Sequence, residues 1–335
     1  MQTSVPLAPR TTLGVGGGAR LFVEVKNAND LQNAVAYAKL HKEPWVVLGG
    51  GSNILVPDAG YDGLVIKMAI EGITIEERKD DSVIVKAGAG ANLDEFIEYA
   101  VNQGWWGLEN LSSIPGTIGA TPVQNVGAYG VEVADCLVSV DVYDSAQDTF
   151  NTLSNTECNF GYRTSIFKTV PSRYIITAVT LKLSLNEKPQ CTYADLAKYF
   201  DNEKTPTVLS IRHAVQDIRS KKFPNWTEVG TAGSFFKNPI VPESVAQALV
   251  EKYPDLPHYN EADEMVKLSL AYILDKVCGL RGYKKGNVGL YEKQALVLVV
   301  EKGACASEVI EFANEVTQKV FLKTELQIEQ EVTTL

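Results

Sequence analysis

An α+β fold closed by a C-terminal α/β unit is predicted for this chain of 335 residues from three observations. The first half holds many β-branched and aromatic runs but few helical stretches able to act as crossovers, which is a poor match to a doubly wound sheet. Its glycine clusters run into strands or loops, whereas a dinucleotide-binding turn follows a strand and opens a helix. Near Lys221 a helical pattern gives way to a Pro- and Gly-containing loop, and the remainder alternates helix and strand over a length that suits one domain.

Taken in order, the first glycine cluster, 14–19, matches G-x-G-x-x-A but leads straight into a strand over 21–25, so it reads as a flexible connection. Asn29 is placed to cap a helix running to His41, with Leu31, Val35 and Ala38 on one face. A short buried strand over 45–48 enters Gly49-Gly-Gly-Ser-Asn53 and leaves as a second strand over 54–56. Consecutive glycines expose a row of amides that suits a pyrophosphate, and Ser52 and Asn53 add side-chain donors; a tight hairpin turn is the alternative. Strands follow over 63–67, 73–77 and 83–87. Asn92, with Glu95 three residues on, resembles a capping box for a helix over 93–102.

Strands over 138–144 and 174–185 flank a loop containing Phe160-Gly-Tyr-Arg-Thr-Ser-Ile-Phe167. A helix over 207–220 ends in a basic run before Pro224, which stops it. Residues 231–239 read as a turn into a short strand, with the hydroxyl of Ser234 at the junction. Helices over 242–253, 269–278 and 307–322 and strands over 295–300 and 326–332 complete the chain.

The segment 110–130 is the least regular, interrupted by four glycines and two prolines. Its backbone must take positive or fixed φ angles, which leaves N–H groups in need of partners outside regular structure. Ile114, Ile118, Val123 and Val126 are too apolar for a solvated tip, so the segment reads as one that wraps a ligand, with a mobile loop as the alternative.

Composition narrows the function. With 45% hydrophobic and 21% charged residues the chain resembles an ordinary globular enzyme, and a net charge of -10 argues against nucleic acid or an anionic membrane as the main partner. An anionic substrate then needs a local basic pocket. Five cysteines, at 136, 158, 191, 278 and 305, form no C-x-x-C pair, and His41, His213 and His258 are far apart. No metal site is expected, and the thiols suit a reducing compartment. With no basic segment followed by an apolar run and no stretch of eighteen apolar residues, a cytoplasmic protein without membrane insertion is expected.

Five blocks, read together, resemble UDP-N-acetylenolpyruvoylglucosamine reductases: Leu48-Gly-Gly-Gly-Ser-Asn53, Ile114-Pro-Gly-Thr-Ile-Gly119, Gln124-Asn-Val-Gly-Ala-Tyr-Gly130, Gly161-Tyr-Arg-Thr-Ser-Ile-Phe-Lys168 and Ala232-Gly-Ser-Phe-Phe-Lys-Asn-Pro239. They run in order over nearly the whole chain. The resemblance implies the FAD-binding fold of the vanillyl-alcohol-oxidase type in two subdomains, 1–70 and 71–221, a substrate-binding domain over 222–323, and a C-terminal strand over 324–335 returning to the active site. It implies noncovalent FAD, since no histidine or cysteine stands near Ser52 or Thr117, and NADPH as hydride donor. The activity implied is reduction of the enolpyruvyl ether of UDP-N-acetylglucosamine enolpyruvate to the lactyl ether, in peptidoglycan synthesis and hence in cell-wall biogenesis, cell shape and division. A flavin oxidase of the same scaffold acting on another sugar or alcohol is the rival. A monomer is expected.

The cofactor positions implied are Gly49, Gly50, Gly51, Ser52 and Asn53, then Pro115, Gly116, Thr117, Gly119, Ala120 and Thr121, then Gln124, Asn125, Gly127, Ala128 and Tyr129. Arg163 resembles the guanidinium that grips the substrate carboxylate, where a bidentate fork suits an enediolate. Ser234 resembles the proton donor to the carbanion, with Lys237 or backbone amides as helpers. Glu331 resembles the third catalytic residue; strand alternation puts Glu329 on the same face, and the resemblance selects Glu331. Tyr193 resembles a mobile-loop tyrosine, and Lys222 and Asn238 resemble diphosphate and uridine contacts, with Tyr162 and Gln294 as further substrate contacts. Arg219, Lys221, Lys222 and Lys237 are expected to supply the basic pocket. The chain departs from the family at Ala271 and Tyr272, at Tyr291 in place of histidine, and at Thr231 in place of asparagine.

Overall fold

Two cores organise the residues that the computed structural model describes, 1–201 and 205–335. The first unit comprises Met1–Val5, Ala19–Gly51 and Asp62–Arg219; the second comprises Pro6–Gly18, Ser52–Tyr61 and Ser220–Leu335. Both are therefore assembled from segments distant in sequence.

In the first unit a sheet runs in the order Gln2–Pro6, Gly18–Val25, Tyr61–Met68, Trp45–Leu48, and the last two strands are parallel. Helix Ala28–His41 buries Leu31, Ala34, Val35 and Ala38, whose spacing of three and four residues makes one apolar stripe. Its cap is Asn27 and not Asn29: the Asn27 side chain accepts from Asp30 N–H at 2.9 Å, one turn in, where the helix has an orphan donor. A five-stranded antiparallel sheet follows, ordered Thr149–Ser154, Leu137–Asp144, Tyr174–Ser184, Ser82–Gly88, Ile73–Arg78. Helix Leu93–Asn102 buries Leu93, Phe96, Ile97, Ala100 and Val101, and Asn92 caps it by accepting from Asp94 and Glu95 N–H.

The second unit holds a sheet ordered Gly230–Ser234, Gln294–Val300, Val288–Tyr291, Lys284–Lys285, a three-stranded sheet, and helices Glu243–Lys252 and Ala306–Thr324. Leu13, Val15 and Leu55, from the N-terminal part of the sequence, lie in its core beside Phe235, Leu298 and Phe312. Ile54–Leu55 pairs in parallel with Thr333–Thr334, while Trp45–Leu48 pairs with Tyr61–Met68, so the two strands flanking Gly49–Asn53 do not form a hairpin.

Three further expectations are corrected. Past the exposed Gly14, the cluster 14–19 is packed and not a flexible connection: a Cβ on Gly16 would stand 2.2 Å from the carbonyl oxygen of Val56, and one on Gly17 would stand 2.4 Å from that of Asp58. Gly17 N–H also donates to Pro57 O at 2.8 Å. The expected helix over 269–278 is one α turn, Leu270–Tyr272, followed by a π-helix over Ile273–Val277. The expected strand over 326–332 has no ladder. Leu326, Ile328 and Val332 are buried in alternation, but among the described residues the backbone is bridged only at Gln330, opposite Phe236, before the short strand Thr333–Thr334.

Candidate functional site

In the first unit three glycine-bearing turns meet backbone to backbone. A Cβ on Gly50 would lie 2.6 Å from Gly116 Cα, one on Gly49 2.9 Å from Thr117 Oγ1, and one on Gly119 2.4 Å from Ala89 Cβ. Each of these contacts demands glycine, because the opposing atom is main chain or a short rigid side chain. Hydrogen bonds lock the approach: Ile118 N–H donates to Ala91 O at 2.8 Å, Gly119 N–H to Ala89 O at 2.9 Å, and Leu93 N–H to Gly116 O at 3.2 Å. Lys67 Nζ donates to Gly49 O. Thr117, 7% exposed, keeps an Oγ1 that is buried with no hydrogen-bond partner, although such a hydroxyl normally finds one. An unpartnered hydroxyl at a junction of glycine turns fits a phosphate or another polar group of a dinucleotide, and FAD fits these residues.

The next turns of that segment are held from within. Asn125, at φ 48°, donates Nδ2 to Glu132 Oε2 at 2.6 Å and to Gly161 O at 3.4 Å, and accepts from Ala134 N–H at 3.2 Å. Its side-chain amide therefore works as an internal brace. Thr121 Oγ1 donates to Ile118 O and Ser165 Oγ to Val123 O, which ties the 160–165 turn to the same loop. Arg163 sits at the tip of that turn, between the paired Gly161 and Thr164, at φ 54°. A non-glycine residue there carries about 1 kcal/mol of backbone strain. Its guanidinium donates Nη2 to Gly127 O at 3.2 Å and lies 5.3 Å above the Tyr162 ring. Arg163 as a residue is half-buried, and the Nε of its guanidinium is buried.

Tyr129, at φ 50°, is buried and edge-on to Tyr193 at 5.4 Å, while Tyr193 itself is 46% exposed. Burial pushes the Tyr129 hydroxyl up to about 12, with Arg219 opposing the rise. Burial conversely holds Arg219 below the ordinary guanidinium value, with Tyr129 countering; the guanidinium is enclosed although the residue as a whole is half-buried. Asn110, which sequence reading did not single out, joins these loops. Its Nδ2 donates to Tyr129 O and Gln190 O, both at 2.8 Å, and its buried Oδ1 has no partner. Its only signal in sequence was an amide at the head of the glycine-rich stretch.

In the second unit Ser234 ends the strand Gly230–Ser234, so the strand leads into the turn and not the reverse. Gly233, at φ 73°, and a register shift break the ladder just before the hydroxyl. Phe235 and Phe236 are fully buried and anchor the chain immediately after that hydroxyl. Lys237 N–H donates to Glu329 O at 2.9 Å and Glu331 N–H to Phe235 O at 2.8 Å, bracketing the Phe236–Gln330 bridge. The two glutamates, indistinguishable by alternation, differ here. The Glu329 side chain is 74% exposed and ion-paired with Lys237 at 2.8 Å, whereas Glu331 is half-buried. Lys237 Nζ is thus paired with Glu329 in this structure.

Asn238 Oδ1 accepts from Leu270 N–H at 3.0 Å, and Lys222, half-buried, ends helix Val208–Lys222. Gln294 lines a cavity of about 160 Å³ with Tyr272, Asp275, Lys276, Arg281 and Lys293, and with Ala271 and Ala295. The departures at Ala271 and Tyr272 thus line the same cavity as Gln294, at the start of the π-helix. Thr231 is 5% exposed and satisfied, donating to Leu298 O at 2.8 Å and accepting from Gly233 N–H at 3.1 Å. Ser52 and Asn53 belong to the second unit with Ser234 and Glu331, whereas Gly49, Gly50 and Gly51 belong to the first. Among the described residues no group of three His, Cys, Asp or Glu could hold a metal.

Residues 19–153 match the family described as an FAD binding domain, and residues 225–335 match the C-terminal domain of UDP-N-acetylenolpyruvoylglucosamine reductase. The chain is 42% identical to the UDP-N-acetylenolpyruvoylglucosamine reductase of Chromobacterium violaceum, over 98% of this chain and 97% of that one. It is 37% identical to the enzyme of the same name from Pseudomonas aeruginosa, over 99% and 98%. The crystal structure of UDP-N-acetylenolpyruvylglucosamine reductase from Thermus caldophilus superposes with a TM-score of 0.70 at 27% identity, covering 98% of this chain and 97% of that chain.

Proposed function

The chain belongs to the UDP-N-acetylenolpyruvoylglucosamine reductase family and is an FAD-dependent oxidoreductase, and from that premise we propose how its residues divide the work. FAD, when bound, would supply hydride transfer between NADPH and the terminal carbon of the enolpyruvyl ether. Gly49 to Asn53, Pro115 to Thr117, Gly119 to Thr121 and the run Gln124, Asn125, Gly127, Ala128, Tyr129 hold that group without a covalent tether. The single observation that carries this part is the junction of glycine turns at the unpartnered Thr117 hydroxyl.

Hydride arrival at the terminal carbon leaves negative charge on the neighbouring carbon and its carboxylate. Arg163 stabilises that enolate through its fork. Ser234 delivers the proton that completes the lactyl ether, so one hydride and one proton are added in all. Glu331 stays protonated or acts through Arg163, because a bare carboxylate would repel the enolate. Tyr162, Tyr193, Lys222, Asn238 and Gln294 bind the nucleotide-sugar. The half-burial of Glu331, against the exposed and paired Glu329, supports that choice between the two. The division into 1–70, 71–221, 222–323 and 324–335 belongs to the same proposal. So do a monomer working in the cytoplasm and the place of its product in peptidoglycan precursor synthesis; five cysteines with no disulfide among them suit a reducing compartment.

The experiment is anaerobic. Holoenzyme is reduced with NADPH, UDP-N-acetylglucosamine enolpyruvate is added, and the oxidised flavin band is followed. Return of the band with a lactyl-ether product by mass is expected. A flavin that stays reduced until air enters overturns the reading in favour of an oxidase.

A further inference from the structure

We propose that Asn53 is a positioning residue for the reaction: its side-chain amide holds the backbone of Glu331 and so sets where that carboxyl stands. The inference rests on the catalytic reading of Glu331. Asn53 Nδ2 donates to the carbonyl oxygen of Glu331 at 3.1 Å across 278 residues of sequence. Asn53 also accepts, through its own carbonyl, from Thr333 N–H at 3.1 Å, and the next residue, Ile54, pairs with Thr333. The Glu331 peptide is thereby gripped on both sides, its N–H by Phe235 O at 2.8 Å and its C=O by Asn53.

The need for a side chain comes from the local backbone. Glu331 and Val332 lie between the isolated bridge at Gln330 and the strand that starts at Thr333, outside any ladder. An amide side chain supplies there what a neighbouring strand otherwise would. Serine at this position would be too short to span the same gap, and aspartate would set a carboxylate against a carbonyl oxygen. Both Asn53 and Glu331 are half-buried, so water screens the contact only in part. The family resemblance assigns Asn53 to the flavin; in the structure its amide nitrogen donates to the carrier of the catalytic carboxyl.

The test separates the two roles by half-reaction in anaerobic stopped flow on holoenzyme. The readout is the rate of flavin reoxidation by UDP-N-acetylglucosamine enolpyruvate divided by the rate of flavin reduction by NADPH. Asn53→Asp, which keeps the shape and removes the donor, is expected to lower this ratio about ten-fold, the effect of one hydrogen bond to a reacting group's support. In a Glu331→Gln background the same change is expected to lower it less than about two-fold, since coupled residues are non-additive. An unchanged ratio, with flavin content and both rates falling together, overturns the proposal and leaves Asn53 a flavin contact. An equal loss in both backgrounds overturns it too. If the aspartate variant does not accumulate as folded holoenzyme, Asn53→Ala decides by the same ratio. Full turnover by Glu331→Gln alone is a different result, because it removes the catalytic reading of Glu331 itself.

Discussion

Glu331 N–H donates to Phe235 O at 2.8 Å, which sets the glutamate's backbone beside the residue next to Ser234 in the chain. Two side chains carried on neighbouring, hydrogen-bonded backbone behave as one unit when both serve the same proton transfer. Ser234→Ala and Glu331→Gln are each expected to lower kcat by about 100-fold or more, in the range of a general acid, with NADPH still reducing the flavin. The double variant is expected to lose little beyond the worse single. Multiplying losses would show that the two act on separate steps.

Glycine turns that touch through main chain tolerate no added methyl. Gly50→Ala would bring a Cβ to 2.6 Å from Gly116 Cα, an atom that moves only with its loop. The expected result is purification with little flavin and a loss of about 1–3 kcal/mol in stability, the usual cost of overpacking. The flavin-to-protein absorbance ratio and Tm in saturating FAD check it. A variant with full flavin and an unchanged Tm would mean that the two turns separate freely.

Local signals were legible in the sequence where one residue decides. Asn92 and the apolar spacing after it marked helix Leu93–Asn102 at both ends. Strand Thr149–Ser154 was missed because nearly every residue in it is exposed at a sheet edge, which leaves no alternation to read. The opposite error, over 326–332, has the complementary cause. Alternating burial of Leu326 and Ile328 reports contact with a core and says nothing of ladder hydrogen bonds. The π-helix Ile273–Val277 has no periodicity long enough to announce itself. The contribution of Leu13, Val15 and Leu55 to the second core was beyond pattern reading, because it depends on contacts with residues hundreds of positions away. For the site, residue types came from motif resemblance, while the commitments of Asn53, Asn125 and Lys237 to protein partners needed the three-dimensional structure.

Lys222 stands half-buried at the end of its helix, and a lysine ammonium acts on a charged ligand as a point charge. If it contacts the diphosphate, it binds ground state and transition state alike, because the diphosphate does not change charge during the reaction. Lys222→Ala is therefore expected to raise the substrate KM about ten-fold or more with kcat changed less than about three-fold. Initial rates against substrate concentration at fixed NADPH test it. Equal losses in kcat and kcat/KM would move Lys222 to a role in the transition state.

Glu109 offers a pH signature outside the chemistry. The residue is 1% exposed, and its carboxyl accepts from Gly107 N–H at 2.7 Å. Burial pushes it above the usual carboxylate range, with backbone donors at Gly107, Glu109 and Leu108 pulling the other way. A raised folded-state value means that the native chain binds this proton more tightly than the unfolded chain, whose value is about 4.3. Stability is thus lost as pH rises above that unfolded value, and the loss is complete once the pH exceeds the folded value. Glu109→Gln keeps an acceptor for Gly107 and removes the titration. The Tm of the variant relative to wild type is expected to climb as pH rises above the unfolded value of about 4.3 and to level off once the pH exceeds the raised folded value, since only the wild type must ionise a buried acid over that interval. A Tm difference that stays flat or falls with pH would mean that the backbone donors outweigh burial and that the carboxylate is native in its charged form.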